Sequence, residues 1–136
     1  MDLAIGVVLG LASGALASMV GFDRDRAFYP AVMIVIASYY VLFAAMAEDH
    51  GALWRDGAVA LIFVVAAIAG FRISLWLVVA ALAAHGVLDL VHGGVLENDG
   101  VPTWWPGFCA AFDLVLAAWL AALLIRRGEP RRAATG

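Results

Sequence analysis

Apolar residues in this chain come in five long runs separated by short polar stretches. The runs cover about Leu3 to Val20, Phe28 to Ala47, Gly57 to Gly70, Ile73 to His92 and Trp105 to Ile125. A membrane-spanning helix needs roughly 20 apolar residues, with a range of about 17–25. Four runs meet that length. The third is short, so it either sits where the bilayer thins or extends through Phe71, with Arg72 snorkelling to the headgroups. The alternative fuses Gly57 to Ala80 into one span and leaves His85 to His92 as a re-entrant or surface piece.

Arginine placement separates the two. With five spans, Arg24, Arg26, Arg72, Arg126, Arg127, Arg131 and Arg132 share one side and Arg55 stands alone on the other. The four-span arrangement moves the C-terminal arginines to join Arg55. Cytoplasmic loops carry the excess of basic residues. The sequence therefore predicts an all-α bundle of five transmembrane helices, N-terminus outside and C-terminus cytoplasmic. Residues 1–125 form a single membrane domain, and residues 126–136 a basic cytoplasmic tail. Trp54, Trp104 and Trp105 then fall at the outer interface, where membrane aromatics concentrate.

Composition agrees: 65% of the 136 residues are hydrophobic and 14% charged, against roughly 45–50% and about 25% in soluble domains. The net charge of -3 says little, because the charges are segregated by loop. Asp2 near the start argues against a signal peptide, although "ALA" at 15–17 offers a cleavage pattern. The expected environment is a lipid bilayer, with the chain multi-pass in a bacterial inner membrane. Basic runs interleaved with aromatics are missing, so nucleic acid is not an expected partner. Cys109 is the sole cysteine, which rules out an intrachain disulfide.

Gly6, Gly10 and Gly14 recur at four-residue spacing, followed by Ser18. Such a stripe lets helix backbones approach closely in lipid. Packing inside the bundle is the bland reading; a homodimer seam, or contact with a larger membrane complex, is the other. The alternating signs of Asp23 to Arg26 read as a solvated turn, and the terminal arginines as a topology signal.

Ionisable residues inside the spans carry the candidate chemistry. In "HGVLDLVH", His85, Asp89 and His92 lie on one helical stripe, since each residue advances about 100°. In the fifth span Asp113 lies about 12 Å deep and Cys109 one turn above it. Consecutive antiparallel helices usually pack side by side, so these groups can face one another. Glu48 and His50 end the second span on the same side. Tyr39 and Tyr40 lie deeper in it; adjacent residues diverge, and Tyr39 is the favoured one.

Three functions fit. A metal site would use His85, Asp89 and His92, with Asp113 as further ligand or general base, Asp89 and Asp113 as catalytic carboxylates, and Cys109 as optional ligand. Imidazole and carboxylate at this spacing suit zinc, iron or copper. The protein would then be a metal-dependent enzyme acting on a lipidic or small-molecule substrate from the outer face. The second reading is a proton-coupled small-molecule or ion transporter relaying through His85, Asp89 and Asp113. The third is a non-catalytic subunit held by interhelical hydrogen bonds. Those average about 0.6 kcal/mol each, small beside about 2.5–3.5 kcal/mol for a mid-membrane Asp.

Overall fold

The structure is a computed structural model that describes residues 1–128. Its described residues form five α-helices: α1 (Asp2–Val20), α2 (Phe28–Met46), α3 (His50–Arg72), α4 (Trp76–Val95) and α5 (Trp105–Arg127). Each is long and apolar enough to cross a membrane. The four-span alternative fails at Ile73 to Leu75, where the chain turns between α3 and α4 instead of continuing.

The main departure is at the start of α3. The loop expected before Gly57 is helical from His50, giving 23 residues in place of the short third run. Asp49 explains it: its side chain accepts a 2.9 Å bond from Ala52 N, capping the helix. Arg55 and Asp56 therefore sit on the helix rather than in a connection. At the opposite end, α5 continues through Arg127 and stops at Gly128, whose φ of 66° suits glycine. Residues 129–136 of the predicted tail lie outside the described residues.

In lateral order the helices run α1, α5, α4, α3, α2, with α2 folding back to touch α4. The core is built from Met33, Val78, Leu82, Leu116, Leu120 and Leu124, all essentially inaccessible. Outward faces are equally apolar: Leu11 and Leu16 on α1, and Leu61, Ile62 and Val65 on α3, are exposed. An apolar exterior around an apolar core is what lipid solvent requires.

α1 lies along α5 in the same direction. A Cβ on Gly6 would collide with the Phe108 carbonyl, on Gly10 with Val115 and on Gly14 with the Trp119 ring. The small-residue stripe is thus filled by α5 of the same chain, and is not free for a second copy. Ser18 continues it by accepting a 3.3 Å bond from Trp119 Nε1 and donating at 2.7 Å to Asp23. Arg127 binds the Asp23 carbonyl at 3.0 Å, and Arg26 binds the Gly70 carbonyl at 3.3 Å. These contacts gather the α1–α2 turn and the ends of α3 and α5 at one end of the bundle. Arg55 reaches the Glu97 carbonyl at 2.7 Å at the other.

Candidate metal centre between α4 and α5

Gly86 sets how closely α4 and α5 approach. A Cβ there would meet the Ala110 carbonyl oxygen at 3.1 Å and Asp113 Cβ at 3.2 Å. With only hydrogen in that place, the preceding residue, His85, comes directly against α5. Its Nδ1 lies 2.7 Å from Asp113 Oδ2 and 3.5 Å from Asp89 Oδ2, one turn further along α4. Cys109, one turn before Asp113, places Sγ 3.9 Å from the same carboxylate oxygen. All four residues are buried.

His85, Asp89, Cys109 and Asp113 could hold a metal ion: one ligand-capable atom from each lies within 4.8 Å of the others. The set combines imidazole nitrogen, carboxylate oxygens and a sulfur, which suits a first-row transition metal. Two carboxylate oxygens, Asp89 Oδ2 and Asp113 Oδ1, are buried without a hydrogen-bond donor. Unmatched acceptors of this kind are costly, and a cation is the natural counterpart.

Tyr40, not Tyr39, serves the cluster. Its hydroxyl donates a 2.6 Å bond to Asp89 Oδ1. Tyr39 points the other way and packs on Trp105, with ring centroids 4.8 Å apart. Adjacent helical residues diverge by about 100°, so only one could turn inward.

His92 is on the predicted stripe but does not join the cluster. It stacks on the Tyr40 ring at 4.1 Å, and its Nε2 lies 3.9 Å from Asp56 Oδ1. Seven residues of helix rise set it about 10 Å along the axis from His85, and the group of four that could share an ion does not include it. Glu48 lies in the turn between α2 and α3 and His50 opens α3, both exposed, with His50 Nδ1 3.0 Å from the Glu48 carbonyl.

Sequence reasoning missed Asp56 and Asn98. Asn98 donates to Asp56 Oδ2 at 2.5 Å and to the Tyr40 carbonyl at 3.1 Å, tying the α4–α5 loop over the site. Phe63 was also missed; it closes the α3 side, edge-on to His85 at 4.8 Å. The available signal was Asp49 followed by "HGALWRD", an N-cap leading into a helix. It would have put Asp56 on α3 and in reach of α4.

Compared with protein-family models, with curated proteins and with solved structures, the chain shows no significant match.

Proposed function

We propose that this chain is a membrane-embedded metalloprotein that binds a divalent transition metal between α4 and α5 and acts as an enzyme on a lipidic substrate. The observation that carries this is the gathering of His85, Asp89, Cys109 and Asp113 with two carboxylate oxygens left unmatched. Burying two aspartates costs about 2.5–3.5 kcal/mol each. Interhelical hydrogen bonds at about 0.6 kcal/mol apiece do not offset that, whereas metal ligation does.

Zinc binds nitrogen and oxygen at about 2.0–2.2 Å and sulfur at about 2.3 Å. Its ligand atoms then stand roughly 3–4 Å apart. Loading requires His85 Nδ1 and Asp113 Oδ2 to part slightly and Cys109 to draw in. If Cys109 stays out, three ligands remain with a fourth position open, the arrangement of catalytic zinc sites. The arginine distribution supports an inner-membrane orientation with the N-terminus outside and the cluster nearer the outer face.

The deciding experiment is metal analysis of purified protein against His85→Ala. Stoichiometric metal in the wild type, lost in the variant and on chelation, is expected. Metal-free preparations of both, even after reconstitution with zinc or ferrous iron, would remove this reading.

A second reading is favoured by the polar line from Tyr40 through Asp89 and His85 to Asp113, with successive separations of 2.6, 3.5 and 2.7 Å. Such a line suits proton transfer in a metal-free transporter. Proteoliposomes showing pH-driven flux that Asp113→Asn abolishes would favour it.

A further inference from the structure

Helices α2 and α5 are bridged at one end, where Tyr39 and Phe43 pack on Trp105 at 4.8 and 5.0 Å. Below that bridge they stand apart, and a groove of about 510 Å³ opens between them. Both helices are of membrane-spanning length and composition, so the groove opens sideways to lipid. Along α2 it runs from Phe28 to Tyr39, about 16 Å of helix, or roughly half the hydrocarbon thickness of a bilayer.

Three features identify what it takes. First, among the described residues no acid, base or histidine lines it, so a charged group inside would lack a counterpart. Second, its polar groups are few: the Tyr39 hydroxyl, the Cys109 thiol and the Trp105 indole. The buried Trp105 Nε1 has no acceptor, and indole is a donor only. That atom is itself sealed from the groove, so the lining offers an occupant little besides hydrocarbon surface.

Third, the groove reaches the metal cluster. Cys109 lines it and also lies 3.9 Å from Asp113 Oδ2. Two other spaces lie near the cluster among the described residues, and neither offers a hydrocarbon path to it. On the α3 side the space beside His85 is about 10 Å³, room for about one water. The loop-end vestibule is about 430 Å³ but stops at His92.

We infer that the α2–α5 groove binds one hydrocarbon chain of a membrane lipid, drawn sideways from the bilayer. The chemical purpose of that placement rests on the metal centre proposed above; binding of the chain does not. The volume, about 510 Å³, lies within the roughly 300–1,000 Å³ of small-molecule pockets.

The test is photo-crosslinking of the full chain in phosphatidylcholine vesicles. One preparation carries a trace of phosphatidylcholine with a diazirine in its acyl chain; another carries a free diazirine-bearing hexadecanol. Mapped adducts are expected at Val35, Tyr39, Phe108 and Phe112, several-fold above Leu61 and Ile62 on the outer face of α3. Enrichment with the phospholipid alone identifies an acyl chain of bilayer lipid as occupant, and with hexadecanol alone a free single-chain lipid; either supports the groove. Val35 is 53% exposed at the groove, so Val35→Trp should fill it without disturbing the core. It should lower groove adducts several-fold, leave those at Leu61 and Ile62 unchanged, and leave bound metal unchanged. Ala31→Trp repeats the block one turn away if Val35→Trp does not fold. Adducts spread evenly over groove and outer face, or unaffected by a folded blocking variant, would overturn the inference. A metal-free wild type with groove adducts intact would instead sink only the metal centre.

Discussion

His85 on α4 and Asp113 on α5 meet at 2.7 Å, 28 residues apart in sequence, and both are buried. Their contact fixes where two antiparallel helices touch, and it does so at the level of Gly86, where the backbones come closest. Asp89 and Cys109, one turn along each helix, join this pair rather than form sites of their own.

Asp113→Asn tests the pair without changing its shape. The amide keeps hydrogen-bonding capacity but loses the charge that draws a cation. Removing a partner of a metal ligand typically costs 10–100-fold in affinity, and loss of a ligand itself should cost at least about 10–100-fold. Competition with a chromophoric chelator measures this. Unchanged affinity in a folded variant would place the ion elsewhere.

The two adjacent tyrosines should behave differently. Tyr40→Phe leaves Asp89 Oδ1 without its 2.6 Å donor. Hydrogen bonds to charged groups contribute about 1.5–3 kcal/mol in water-soluble proteins and less in membranes, so a loss of about 1 kcal/mol is expected. Tyr39→Phe should be close to neutral for stability and metal affinity. Equal effects, read by denaturation in detergent, would contradict the placement of the two rings.

Gly86→Val should separate α4 from α5. The new side chain meets the Ala110 carbonyl and Asp113 Cβ, neither of which can swing away. Overpacking typically costs about 1–3 kcal/mol, and metal affinity should fall with it. Gly57→Ala is the control, since nothing lies within 4 Å of its added carbon. Because alanine is the better helix former by about 0.5–1 kcal/mol, that variant should melt no lower than wild type.

The orientation proposed above rests on arginine counting alone. A fluorescent reporter that matures only in the cytoplasm, fused after Gly136, is expected to fluoresce, whereas a periplasm-dependent phosphatase there is expected to be silent. The reverse pattern would turn the bundle over and put the cluster nearer the inner face.

The sequence by itself determined the number of spans, because apolar length and turn residues are local properties. It also placed His85 and Asp89 on one stripe, and Asp113 at matching depth, because helical rise and rotation are fixed. The partner of each polar group is not a local property. Tyr40 was preferred to Tyr39 by the way α2 leans on α4, and Gly6, Gly10 and Gly14 pack within the chain because α5 lies beside α1. His92, two turns along α4 from His85, meets the Tyr40 ring and Asp56 instead of the cluster. Asp56 entered the network only once Asp49 capped α3 early. Periodicity fixes which way a side chain points along its own helix; which helix it meets there depends on packing between segments distant in the chain, and that only the tertiary structure decided.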